Sequence, residues 1–507
     1  MSMLAPNSNI YQSLLQRAKV QPDAVAIVFE EQSWSYHQLL EKVNQTMLWL
    51  TTAAQLKKGD RIVLGWGNTI EFCQLFYAAV GLGIQVIPLS TKMKEFEGKE
   101  HLSCINADAI FWDDTYQPWL AQFSTKGMSL SQWRNLILTE EINFTNQVNE
   151  EDPAVVIFTS GTTGAPKGAV ITHKNILSAV YAYQETLKLS EHDKTILAVP
   201  IYHITGLSAI LALFIHIGGT VYLQKKFNAK DIISTIAKEK ITFLHGSPTV
   251  FILLIQKIKE NKSINLERFN SLKMIACGAG HLNEGTIKEL SYLFAKTSIH
   301  SIYGLTETSS PATVFREDIR YSDKKASSGT PVPGLQVAIR DDKGEDKPAN
   351  STGNIWVKGD VVIQRYWPDS PANSTSFNDG WFFTGDIGYR DDDGFLYIQD
   401  RIKDMINRGG EKIYSIEVED LISNYPGVNE VAVIPIESTI YGEEPIAFII
   451  PENQVCLTSK EIIEWLKDRV PTYKVPVRIM FTRNFPRTWN GKISKKDLKL
   501  RYYSLNN

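Results

Sequence analysis

The stretch FTSGTTGAPKGA, Phe158 to Ala169, has the make-up of an anion cradle. Gly161, Gly164 and Gly168 let backbone amides approach a phosphate. The hydroxyls of Thr159, Ser160, Thr162 and Thr163 and the Lys167 ammonium add donors. The spacing is not that of a Walker A loop, because Pro166 stands before Lys167 and Gly168 after it. Other groups able to act on phosphate or carboxylate lie far downstream: Thr306, Glu307, Asp386, Arg401 and Lys492. Each has an ordinary reading on its own. Thr306-Glu307 reads as a solvated loop pair, Asp386 as a turn carboxylate and Arg401 as a surface ion pair. Lys492 reads as part of a basic surface with Lys495, Lys496 and Lys499. His203 and Tyr303 read singly as core residues.

The elements that must position these groups follow from periodicity. DRIVLGW and QVIPLS read as strands, with TIEFCQLFYAAVGLG between them as an amphipathic helix ending at glycine. AVVIF is a short buried strand running into the glycine-rich loop. This alternation predicts α/β architecture with largely parallel sheet. After about residue 325, GLQVAIRDDKGEDK and GYRDDDGFLYIQD predict short strands joined by Asp/Gly turns. Beyond Asp400 a compact α+β unit is expected. Its helix TSKEIIEWLKDRV starts on a capping box, Thr458 to Glu461. The boundaries are thus a large N-terminal domain over 1–400 and a small C-terminal domain over 401–507.

A chain of 507 residues exceeds what one core usually organises. With 43% hydrophobic and 21% charged residues it has an ordinary globular composition. A net charge of -3 gives no reason to expect nucleic acid. Cys73, Cys104, Cys277 and Cys456 are scattered, which argues against disulfides or zinc. No secretory signal is visible at the N-terminus, so a reducing, cytoplasmic setting is expected. The apolar run Gly206 to Leu223 is broken by His216 and Gly218-Gly219, and is read as a buried helix and strand rather than a membrane span.

Taken together and in order, the motifs resemble the adenylate-forming superfamily of acyl-CoA synthetases, luciferase and nonribosomal adenylation domains. WSYHQLLEKVN, LKKGDRIVL, FTSGTTGAPKGAVITH, PIYHITGL, YGLTET, WFFTGD, DRIKDMINRGGEKIYSIEVE and PRTWNGKISK span nearly the whole chain. The resemblance implies ATP, Mg²⁺ and coenzyme A as reactants and cofactors. The carboxylate of an acid attacks the α-phosphate of ATP, and the acyl-adenylate then acylates a thiol.

It also implies roles. Thr159, Ser160, Gly161, Thr162, Thr163, Gly164 and Lys167 would hold the β- and γ-phosphates. Gly278, Ala279, Gly280, Tyr303 and Gly304 would line the nucleotide, with Tyr303 on adenine. Thr306 would donate to the α-phosphate, and Glu307 would be the Mg²⁺ ligand. Asp386 and Arg401 would hold the ribose. Lys492 would bridge the carboxylate and the α-phosphate, and His203 would lie near that carboxylate. Rotation about Lys403 would then exchange Lys492 for Gly409, Gly410, Glu411 and Lys412, which help to form a thiol tunnel.

Three positions depart from the usual pattern: His281 where proline is frequent, Asn354 for glutamate and Arg365 for glycine. His281 is expected to border the nucleotide and acyl pocket. The expected substrate is a carboxylic acid, in first place a fatty acid. Aryl acids including o-succinylbenzoate, and a standalone ligase loading an acyl-carrier protein, are the alternatives. A noncatalytic nucleotide-binding homologue is disfavoured by the retention of Lys492, Glu307, Thr306 and Asp386.

Overall fold

The computed structural model describes residues 9–123, 126–136, 138, 148–159, 167–260, 264–368, 371–452, 455–487 and 492–506. Ser160, Gly161, Thr162, Thr163 and Gly164 of the cradle lie outside these, as does the Asn490-Gly491 turn before Lys492.

β-branched, apolar strands alternating with helices produce two sheets in the first part of the chain. In one, six consecutive neighbours run parallel: Ser298–Tyr303, Met274–Cys277, Phe243–Gly246, Lys194–Leu197, Thr220–Leu223 and Val25–Phe29. In the other, Ala109–Trp112, Arg61–Gly65, Gln85–Pro88 and Pro153–Thr159 are parallel neighbours. Pro153–Thr159 then pairs antiparallel with Lys167–Thr172, with Thr159 opposite Lys167. The cradle therefore joins two hydrogen-bonded antiparallel strands, and its two described ends face each other.

The helix expected to be amphipathic, Ile70–Gly81, is buried on every side beneath helices Ile10–Val20 and Tyr36–Thr52. Its polar residues mislead because they are satisfied inside. Arg134 pairs with Glu71 at 2.6 Å, and Gln74 Nε2 donates to Thr46 Oγ1 at 2.7 Å. The run from Gly206 behaves as expected. A wide π-helical turn, Leu207–Ala212, leads into helix Leu213–Ile217, which ends on left-handed Gly218 before strand Thr220–Leu223.

The Asp/Gly-rich segment forms the expected antiparallel sheet, including Gln336–Arg340, Gly353–Lys358, Trp381–Arg390 and Leu396–Arg401. From Ile406 onward the chain has its own apolar cores. One gathers Ile406, Val418, Val433, Ile449, Ile462 and Leu466, and another Ile434, Phe448, Phe485 and Leu498. Thr458 caps helix Ser459–Lys467 through the box foreseen with Glu461.

Candidate functional site

Parallel strands leave a crevice beyond their carboxyl ends, where open α/β sheets hold ligands. Three neighbouring ends meet there: Gly246, Cys277 with Gly278, and Tyr303. Gly278 N donates to the Gly246 carbonyl at 3.0 Å, Ala279 is left-handed at φ 62°, and Gly280 sits against Pro248. The chain after Tyr303 doubles back on itself: Ala312 N donates to the Tyr303 carbonyl at 2.8 Å. A Cβ on Gly304 would collide with the Ser310 carbonyl, so this glycine is fixed by the turn that follows it. The turn also presents Thr306 and Glu307 on one short 3₁₀ coil.

Asp386 and Arg401 lie directly opposite each other on a hairpin. Arg401 Nε sits 3.2 Å from Asp386 Oδ1, while Tyr303 Oη donates to Asp386 Oδ2 at 2.6 Å. The carboxylate expected to face the ribose is thus already held by two groups. Both must yield or share lone pairs if ribose hydroxyls are to reach it. Burial, then the Asp386 charge, pushes the Tyr303 phenol well up, so it stays a donor. Burial opposes the Arg401 charge, but Asp386 and its other acidic neighbours outweigh this and raise its pKa.

Lys492 enters this group from the far end of the chain. Its ammonium is pushed down to about 8 by burial and by Arg401, with Asp386 and Glu307 pulling the other way and Lys403 adding to the fall. His203 shares the same field. Burial, then the charges of Lys492 and Lys92, depress its imidazole to about 3, so the ring is neutral at physiological pH. A backbone network places His203: Asn68 Nδ2 donates to the carbonyls of Leu197, Val199 and Gln224, and Asn68 Oδ1 accepts from Ile201 N at 2.8 Å. Gly206 is required just beyond, because a Cβ there would run into the Pro200 carbonyl.

At the cradle, Lys167 Nζ lies 4.1 Å from the centroid of the Tyr366 ring, and Tyr366 Oη donates to Glu307 Oε1 at 2.8 Å. Burial lowers the Lys167 pKa against the pull of Glu307. The Thr159 hydroxyl is buried with no hydrogen-bond partner among the described residues. No cluster of three or more acidic, histidine or cysteine side chains able to hold a metal occurs among the described residues. Glu307 alone suits Mg²⁺ of the kind held by one carboxylate together with nucleotide phosphates.

The structure therefore brings together Thr159, Lys167, Tyr303, Thr306, Glu307, Asp386, Arg401, Lys492 and His203. It does not bring Gly409, Gly410, Glu411 and Lys412 to them. These form a hairpin tip with both glycines left-handed, where Gly409 N donates to the Tyr441 carbonyl within the small unit. His281, which directly follows Gly280, turns its Nε2 to Asp420 of the small unit at 2.7 Å. A histidine can reach that carboxylate where a proline would offer no donor.

Asn68 and Tyr366 were not visible as site residues. Asn68 had a weak signal, a polar residue between a buried strand and a buried helix. Tyr366 had none beyond the departure at its neighbour, Arg365.

The family model described as AMP-binding enzyme matches residues 14–367, and that described as AMP-binding enzyme C-terminal domain matches residues 417–492. The chain belongs to the AMP-binding enzyme family of the adenylate-forming superfamily. It is 30% identical to a 2-succinylbenzoate–CoA ligase of Bacillus licheniformis over 96% of this chain and 98% of that one. It is 31% identical to a long-chain-fatty-acid–CoA ligase of Mycobacterium tuberculosis over 97% of this chain and 98% of that one. Among solved structures, o-succinylbenzoate coenzyme A synthetase from Bacillus subtilis in complex with ATP and magnesium ion superimposes with a TM-score of 0.86. That match has 28% identity and covers 98% of this chain and 99% of that one. No helix among the described residues is long and apolar enough to cross a membrane.

Proposed function

We propose that this protein is an AMP-forming ligase that joins a carboxylic acid to coenzyme A through an acyl-adenylate. The observation that carries the reading is the meeting of Lys492, Arg401, Asp386, Glu307 and neutral His203 around one crevice. Two anions must come together there, and a half-buried ammonium is suited to lower their repulsion. In the first step a carboxylate oxygen bonds to the α-phosphorus of ATP and the bond to pyrophosphate breaks. In the second a thiol sulfur bonds to the acyl carbon, AMP leaves, and the thiol proton passes to solvent.

Thr159 and Lys167, with Ser160, Gly161, Thr162, Thr163 and Gly164, take the β- and γ-phosphates. Thr306 donates to the α-phosphate, and Glu307 takes Mg²⁺, which neutralises phosphate charge. Gly278, Ala279, Gly280 and Gly304 give a floor without side-chain bulk, on which Tyr303 meets adenine. Asp386 and Arg401 take the ribose. Lys492 orients the acid carboxylate beside His203, whose neutral ring neither attracts nor repels it as a full charge. The large domain spans 1–400 and the small one 401–507. Rotation at Lys403 withdraws Lys492 after adenylation and brings Gly409 to Lys412 to the thiol path. The four free cysteines suit a reducing cytoplasm.

A fatty or similarly apolar acid is the preferred substrate. A void of about 10 Å³ in this part of the chain, room for one water, would have to open to take an acyl tail. Its lining includes Ile196, Ala198, Val199, Leu244, Val250 and Phe251, with His245 the one titratable group among the described lining residues. It adjoins both halves of the site: Val199 precedes the segment carrying His203, and His245 Cε1 would lie 3.5 Å from a Cβ on Gly278. Burial depresses His245 to about 4, leaving it neutral. A second carboxylate, as in o-succinylbenzoate, would enter this lining without a cationic partner, at a cost of several kcal/mol. Aryl acids remain the alternative, and an acyl-carrier protein the alternative acceptor.

The test is acid-dependent pyrophosphate–ATP exchange over a panel of short to long acyl, aryl and dicarboxylic acids. Turnover with coenzyme A and with an acyl-carrier protein is then compared. Exchange is expected with apolar monocarboxylic acids. No exchange with any acid refutes the catalytic reading, and exchange confined to dicarboxylates refutes the apolar pocket.

A further inference from the structure

The phosphate-loop cation and the proposed metal ligand are opposite charges within each other's field, as the pull of Glu307 on Lys167 records. A lysine and a glutamate that attract each other in a partly buried site have a direct ion pair open to them, which would occupy both before any nucleotide arrived. Tyr366 stands at both of them. Its hydroxyl donates to Glu307 Oε1 at 2.8 Å, and its ring face receives Lys167 Nζ at 4.1 Å from the centroid.

The side chain that does this is fixed on every side. Tyr366 is buried and belongs to a two-residue strand pairing antiparallel with Lys167–Thr172, Tyr366 opposite Ala169. Asn373 brackets its backbone, accepting from Tyr366 N at 2.7 Å and donating to Tyr366 O at 3.2 Å. Phe377 and Phe382 pack around its ring at centroid distances of 5.7 and 6.5 Å. The same segment grips Glu307 from behind, where Ile363 N donates to the Glu307 carbonyl at 2.9 Å. Strand pairing thus ties Tyr366 to the cradle, and two hydrogen bonds tie its segment to the Thr306–Thr308 coil. Burial keeps the phenol protonated, so the hydroxyl remains a donor toward the carboxylate.

We infer that Tyr366 is a positioning residue that keeps Glu307 and Lys167 apart and aims each at its own partner, the carboxylate at a divalent cation and the ammonium at nucleotide phosphates. The inference rests on the proposed role of Glu307. The hydroxyl leaves Glu307 Oε2 for the cation and stops the carboxylate from swinging to Lys167. The ring gives the ammonium a resting place that yields to an anion, because a cation–π contact is weaker than an ion pair with phosphate.

The test is calorimetric binding of ATP without acid, so that no chemistry follows, at Mg²⁺ concentrations from chelated to millimolar. Wild type, Glu307→Gln, Tyr366→Phe and Tyr366→Leu are compared. Tyr366→Phe keeps the ring, so binding in chelator should stay at the wild-type value. The Mg²⁺ concentration for half-maximal enhancement should rise roughly 10–100-fold, as on loss of a partner that orients a metal ligand. Tyr366→Leu should weaken binding in chelator as well, because Lys167 then turns to Glu307. A Tyr366→Phe curve that superimposes on wild type, while Glu307→Gln shifts, overturns the inference and leaves the Glu307 role standing. No shift in Glu307→Gln overturns both. Unchanged binding in chelator for Tyr366→Leu removes the part assigned to the ring.

Discussion

Replacing Lys492 by arginine tests whether a single ammonium limits the first half-reaction. Its pKa falls from 10.5 to about 8. That fall corresponds to at most about 3 to 4 kcal/mol, less whatever water still screens the half-buried side chain. Burial and Arg401 are the leading causes, so the cost is highest in the ligand-free crevice. In the free enzyme about nine-tenths of the side chain is charged at pH 7 and about one-tenth at pH 9. The kcat/KM for pyrophosphate exchange should therefore be flat up to about pH 8 and then fall roughly tenfold per unit.

In kcat the same limb should move to higher pH, because ATP and the carboxylate supply the negative charge that the free site lacks. The exchange assay contains no thiol, and neither the acid nor ATP titrates between pH 8 and 10. The pyrophosphate that does is common to every variant, so the difference between variants is what reports Lys492. Within the protein, His203 is neutral throughout and the phenols of Tyr303 and Tyr366 are pushed upward. Among the described residues Lys167 is the one other lysine of the site whose pKa is lowered, so Lys167→Arg is the control. Lys492→Arg, which cannot deprotonate in this range, should lose activity through its different shape yet show no alkaline limb. An unchanged limb in Lys492→Arg, or its disappearance in Lys167→Arg, refutes the assignment.

The same shift bears on stability. Because the folded pKa of Lys492 lies below the unfolded one, its cost is fully present below about pH 8 and fades as pH rises toward 10.5. Lys492→Met should thus raise the urea midpoint of the ligand-free protein at pH 7 and leave it unchanged near pH 10.5, and the reverse order would refute this sign. Lys403→Pro should slow thioester formation from preformed acyl-adenylate more than exchange; unaltered overall turnover would count against a pivot there. His281→Ala should shift the ratio of the half-reactions about two- to five-fold away from adenylation, the range expected of a partly exposed ion pair. A wild-type ratio in rapid-quench measurements would show that the Asp420 contact does not hold the small unit in place. Gly304→Ala should abolish ATP binding through the clash with the Ser310 carbonyl, and calorimetric binding near wild type would contradict that geometry.

Much of this was legible in the sequence where chemistry constrains residue type. The cradle is named by its residue types, whereas Thr306-Glu307, Asp386, Arg401 and Lys492 are picked out only by the resemblance of their motifs to the adenylate-forming superfamily. Periodicity found the strands and most helices. It failed on Ile70–Gly81 because Glu71 and Gln74 mimic a wet face while their partners come from other helices. The sequence could not reveal that Tyr303 and Arg401 already hold Asp386, since a hairpin that sets Arg401 fifteen positions after Asp386 and a distant strand make that contact. Tyr366 stayed hidden because one aromatic residue gives no sign of what its hydroxyl touches. The His281 contact with Asp420 was not foreseen because the two are 139 residues apart.

The hairpin that sets Asp386 against Arg401 also works as a coupling rod. Successive residues of a strand point to opposite sides. On its last two positions Arg401 reaches Asp386, while Asp400 holds the backbone amide and the hydroxyl of Ser415, at the head of the helix Ser415–Ser423. One peptide bond therefore links the residue proposed to hold the nucleotide's sugar to the first helix of the small unit. In the proposed cycle, where adenylate replaces ATP, a tug on the Arg401 side would be delivered mechanically to the Asp400 side. If the small unit turns as proposed, no separate messenger is needed for the crevice to tell it which half of the cycle has been reached.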